Sequence, residues 1–149
     1  MKKINEKVFF YGKDILNSEK MNKERHFIQH GNISCYDHSL NVAKKSLIIA
    51  GFLLLFIKIN ERALIRGALL HDYFLYDWHE SGHRLHGFFH AKRALENAES
   101  DFELGDIEKN IIKRHMFPLN ICPPKYRESW IVCLADKLCA IEEFFKSKD

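Results

Sequence analysis

The sequence predicts an all-α protein, a compact single-domain bundle of about six or seven helices. Three observations predict it. Apolar residues recur at three- and four-residue intervals along most of the chain, no stretch alternates convincingly as a strand, and the 149 residues include only seven glycines and three prolines.

The first helix is expected over Lys3–Asn17, where Ile4, Val8, Phe9, Ile15 and Leu16 recur at roughly helical spacing. Asn17-Ser18 breaks it and caps a second helix through Gln29, with His26 and His30 as polar residues on that helix, and Gly31-Asn32 then marks a turn. A third helix, about Cys35 to Ile57, carries Leu40, Ala43, Leu47, Ala50 and Leu54 on one stripe and reads as the central helix. Asn60 can cap a fourth, Glu61 to about His71, rich in small and aliphatic residues. Tyr73 to Arg84 mixes aromatic, acidic and histidine residues around Ser81-Gly82 and reads as a loop. Further helices are expected over Leu85–Ala98, Asp106–Arg114 and from Lys125 or Arg127 to Phe145. Pro118, Pro123 and Pro124 confine the segment before the last to an extended turn.

Composition narrows the function classes. The formal charge of +3 is dispersed among acidic residues, so no stable nucleic-acid complex is expected. The apolar run Leu47–Ile57 is bounded by Lys44, Lys45 and Lys58 and falls short of the ~20 residues of a membrane span. Cys35, Cys122, Cys133 and Cys139 form no C-x-x-C pair and no secretory signal is visible, so they read as reduced core thiols of a cytoplasmic protein.

The chemistry-bearing residues are histidines and aspartates set in apolar helical sequence. His71-Asp72 ends the fourth helix, and as a dipeptide it is weak: a terminal histidine facing the helix dipole explains it equally well. His38 lies early in the third helix, His90 and His115 lie in or at the end of later ones, and Asp136 sits within Leu134-Ala135-Asp136-Lys137. Each costs energy to bury unpaired, and a shared metal would satisfy all of them. A rival cluster, His79, His83, His86 and His90, has the four-residue spacing of a helical zinc site. Gly82 weakens the helix that such a site requires across the cluster.

The ordered series, from Tyr36-Asp37-His38-Ser39-Leu40-Asn41-Val42-Ala43 through His71-Asp72, His90 and His115 to Ala135-Asp136-Lys137, resembles the HD-domain metal-dependent phosphohydrolase superfamily. The resemblance implies one domain over residues 1–149, with helices of residues 1–30 packing on a metal-binding core of residues 33–145. It implies that His38, His71, Asp72 and Asp136 bind a first metal and that Asp72 bridges to a second held by His90 and His115. Nitrogen and oxygen donors without thiolate suit Mn, Fe, Co, Ni or Zn, one or two ions per chain. The activity implied is hydrolysis of a nucleotide or related small phosphate ester, monoester or diester, through a metal-bound hydroxide. The other reading is a non-catalytic metal- and nucleotide-binding module of the same fold.

Around that centre, His86 and Asp77 are candidates for protonating the leaving group. Tyr73-Phe74-Leu75 replaces the small residue, glycine and lysine that follow His-Asp in a common version of the family, so a phosphate-binding lysine is absent there. Arg93, Arg127 and Lys137 are the alternative phosphate contacts, the last two for their expected place near the active-site end of the last helix. Tyr73, Phe74, Tyr76, Trp78, Phe88 and Phe89 could stack on a base, although aromatic residues at a helix–loop junction more often anchor packing. A homodimer is compatible with the sequence, which marks no interface.

Overall fold

The computed structural model describes residues 2–53, 57–76 and 86–146, with the backbone alone for residues 30 and 86–88. Among the described residues seven α-helices carry the fold: α1 Lys2–Leu16, α2 Glu19–Lys23, α3 Cys35–Leu53, α4 Glu61–Leu70, α5 His86–Asp101, α6 Asp106–Arg114 and α7 Arg127–Lys146. A short hairpin, β1 Ile28–His30 and β2 Ile33–Ser34, joins α2 to α3.

Most of this follows the expected periodicity and caps. The Ser18 hydroxyl accepts the Met21 N–H at 3.1 Å and the Asn60 side-chain Oδ1 accepts the Ala63 N–H at 3.0 Å, so α2 and α4 start at their capping residues. α4 is sheathed on all sides: Ala63 through Leu70 are buried, while α3, α6, α1 and α7 pack around it. Even Arg66 is inside, its guanidinium donating to the Asp14 carboxylate at 2.6 and 2.8 Å. Gly67 lets α6 approach, since a Cβ there would lie 2.5–2.9 Å from Ile111 side-chain atoms.

The structure departs from expectation between α2 and α3. A helix through Gln29 is not formed; α2 ends at Lys23, a 3₁₀ turn covers Glu24–His26, and β1 pairs antiparallel with β2. Gly31 makes the turn at φ 56°, a left-handed conformation that glycine adopts without steric cost. Tertiary bonds favour the break: Cys35 N–H donates to the Phe27 carbonyl at 2.8 Å, and the Glu24 and Gln29 side chains are buried against the segment after α4. His26 and His30 therefore lie in the 3₁₀ turn and strand, not on a helix. Phe9 also departs from its expected stripe; it is exposed, and α1 packs through Val8, Gly12, Ile15 and Leu16. Of the cysteines, Cys122 is exposed while the other three are buried.

Candidate metal centre

Six side chains from five helices meet at the centre of the bundle. His38 comes from the first turn of α3, His71 caps the C-terminus of α4 with Asp72 next to it, His90 lies on α5, His115 caps the C-terminus of α6, and Asp136 lies midway along α7. All six are buried. This packing between helix ends brings an adjacent His and Asp to one point, which mid-helix positions ~100° apart could not do.

Asp72 organises the group. Its Oδ2 lies 3.3 Å from His71 Nε2 and 3.8 Å from His38 Nε2, whereas its Oδ1 lies 3.3 Å from both His90 Nε2 and His115 Nε2. Asp136 Oδ1 is 3.1 Å from His38 Nε2 and 3.6 Å from His71 Nε2. His90 Nε2 and His115 Nε2 are 2.9 Å apart. The carboxylate of Asp72 thus faces one histidine pair with each oxygen.

The remaining ring nitrogens fix how the imidazoles can act. His71 Nδ1 donates to the Ala68 carbonyl at 2.7 Å and His115 Nδ1 to the Ile112 carbonyl at 2.8 Å, the same arrangement at two helix ends. His38 Nδ1 donates to Glu143 Oε2 at 2.7 Å, and Asn41 donates to the other oxygen of Glu143 at 3.0 Å. In each neutral ring the proton is on Nδ1, leaving the Nε2 lone pair aimed at the centre. His71 Nε2 and Asp72 Oδ1 are buried without a hydrogen-bond partner, which is costly for a folded chain. A divalent cation would answer both atoms. The donor atoms of His38, His71 and Asp72, of His71, His115 and Asp136, and of Asp72, His90 and His115 each lie within 4.8 Å of one another, the spacing of shared ligands.

The charges show the same strain. Burial pushes the Asp72 carboxyl up, yet His71, His115 and His90 together hold it well below the usual carboxylate range. Asp136 is likewise pushed up by burial and held low by His38 and His71. Burial alone would depress His38, but Asp136 and Glu143 hold it up at about 9; His71 is raised by Asp72 and Asp136 against its own burial. His115 goes the other way, lowered chiefly by burial.

Two contributors escaped the sequence reading. Gln29 Nε2 donates to Asp72 Oδ2 at 2.6 Å, while its carbonyl accepts from the Cys35 thiol at 3.3 Å. Glu143 braces His38. Glu143 does leave a trace, since it follows Asp136 by seven residues and so shares its helix face. Gln29 leaves none, because its place depends on the hairpin.

The expected phosphate contacts are dispersed. Lys137 Nζ donates to the His115 carbonyl at 3.0 Å, so its ammonium is tied beside the centre. Arg93, exposed on α5, follows His90 by one turn, and its charge acts on the Tyr76 hydroxyl. Arg127 begins α7, nine residues or ~13 Å of helix before Asp136, and reaches the Lys58 carbonyl at 3.5 Å, which places it away from the active-site part of that helix. Asp77 and the side chain of His86 lie outside the described residues, as do Trp78, His79, His83 and the side chain of Phe88. Tyr73 and Phe74 are buried, and Asn97 donates to both their carbonyls at 3.1 Å, so these two anchor packing.

A helical bundle enclosing four imidazoles and two carboxylates carries the donor set of a divalent-metal protein. The HD domain family model matches residues 35–141, and the chain belongs to the HD domain family. No curated protein and no solved structure matches it. Among the described residues no helix is long and apolar enough to cross a membrane.

Proposed function

We propose that this protein is a metal-dependent phosphohydrolase that cleaves a small phosphate ester, of nucleotide or nucleotide-like type. The observation that carries the reading is the division of Asp72, one oxygen toward His38 and His71 and the other toward His90 and His115. That arrangement suits a bridging ligand: His38, His71, Asp72 and Asp136 would hold one ion, and Asp72, His90 and His115 a second. When bound, such ions neutralise phosphate oxygens and lower the pKa of a water, which is what hydrolysis of a charged ester requires.

The protein's own groups prepare the site. The Ala68 and Ile112 carbonyls and Glu143 hold three rings with Nε2 inward, so little reorganisation is needed on binding. Gln29 turns Asp72 so that both oxygens serve. Lys137 adds a positive charge at the His115 backbone, and Arg93, one turn beyond His90, would be the second cation for a phosphate. Membership of the HD domain family, whose members are generally hydrolases, supports the reading.

The test is a panel of nucleotides and other phosphomonoesters and phosphodiesters, assayed with protein loaded in turn with Mn, Fe, Co, Ni or Zn. Release of phosphate or of the hydrolysed ester, lost in Asp72→Asn, is the expected result. A uniformly negative panel with metal-loaded protein would instead favour a binding module.

A further inference from the structure

We infer that the outer face of α7 is the interface of a twofold homodimer, in which two copies of α7 pack antiparallel. Five apolar side chains on α7, Trp130, Leu134, Leu138, Ile141 and Phe145, recur every three or four residues and lie on one stripe. They point away from the core and are 38–63% exposed. The stripe continues into an apolar groove of about 410 Å³ lined by Leu53 of α3, Phe117, Pro118, Trp130 and Leu134.

The size suits a dimer. The five side chains alone leave on the order of 600 Å² uncovered, at or above the largest apolar patch of a typical monomer; contributed by both partners this is about 1,200 Å² in total, the lower end of the range for specific interfaces. A second copy is the occupant because the stripe is its own complement. It is aromatic at both ends and branched aliphatic in the middle, so reversing it sets Trp130 against the partner subunit's Phe145 and Leu134 against the partner subunit's Ile141. Leu138 then lies beside the axis. This is the self-matching that a twofold interface requires. In the antiparallel arrangement the two helix dipoles oppose.

The test is sedimentation equilibrium of the full chain. Wild type is expected to be dimeric, and Leu134→Glu or Ile141→Glu to raise the dimer dissociation constant by about 100-fold or more while leaving helicity and metal content unchanged. Metal content is read from the proposed catalytic centre, so failure of the dimer and failure of that centre are distinguishable. In a Cys122→Ser background, which removes the exposed native thiol, Leu138→Cys should form a covalent dimer on mild oxidation and Phe10→Cys, exposed on α1, should not. Wild type that is monomeric up to its solubility limit would overturn the proposal and assign the face to a different partner. A dimer indifferent to both glutamate variants would overturn it equally.

Discussion

Asp72 is the residue on which the centre turns, because one of its oxygens faces each histidine pair. Asp72→Asn keeps its size and removes its charge, so both ion sites should weaken and activity should collapse; metal counted per chain is expected to fall toward zero. His90→Ala or His115→Ala should instead leave about one ion of two, held by the other four residues. Retention of full metal by these variants and by Asp136→Ala would defeat the arrangement. Gln29 and Glu143 act through their neighbours and call for a different measurement. Gln29→Met preserves length but cannot donate to Asp72, and Glu143→Ala frees His38; each should weaken metal binding by about 10–100-fold, read by competition with a chelator. The metal-free melting temperature of Gln29→Met should fall as well, since the buried Asp72 carboxylate loses a donor. Glu24 offers a pH test in the metal-free protein. Burial, reinforced by the Asp72 charge, pushes its carboxyl up to about 8 against the Leu75 N–H and Cys35, and its Oε2 has no hydrogen-bond partner. A carboxyl raised from 4.5 to about 8 on folding costs nothing below pH 4.5 and progressively destabilises the protein as pH rises toward 8. Glu24→Gln should therefore raise the melting temperature at pH 8 and give little gain at pH 5.

The helices place these groups through two local devices, and each has a measurable consequence. His71 and His115 are C-caps whose rings bond the carbonyl three residues back, so the end of a helix, normally a frayed point, becomes the place where a ligand is held. The second device is the close crossing of α4 and α6. Gly67→Ala would drive a methyl group into the Ile111 Cβ and Cγ2 atoms, which are near the backbone and cannot swing aside. We expect a loss of about 1–3 kcal/mol in denaturant unfolding, together with weaker metal binding as His71 and His115 are forced apart. The hairpin between α2 and α3 is the element that the amino-acid pattern concealed. Residues 24–29 contain nothing that forbids a helix, and the break there is favoured by bonds to partners far along the chain, Asp72 and Leu75.

Four imidazoles and two carboxylates from distant parts of the molecule are buried together at one point, so metal should bind the folded chain far better than the unfolded one. Chelation is expected to lower the melting temperature and re-addition of metal to restore it, with the shift growing with metal concentration as linkage demands. Differential scanning calorimetry checks this directly; a melting temperature indifferent to chelator and metal would count against a buried site. The helical class, six of the seven helices, the caps Ser18 and Asn60, and the six histidines and aspartates were legible in the sequence alone, since helical periodicity and capping are local and a buried imidazole or carboxylate stands out against apolar neighbours. What only the tertiary structure decided was how these groups share one point: which Asp72 oxygen faces which histidines, that Glu143 and Gln29 brace them, that Arg127 lies a long stretch of helix away, and that residues 24–30 leave the helix. These depend on where five helices cross, and crossings are set by side-chain packing between residues distant in sequence, which no local pattern records.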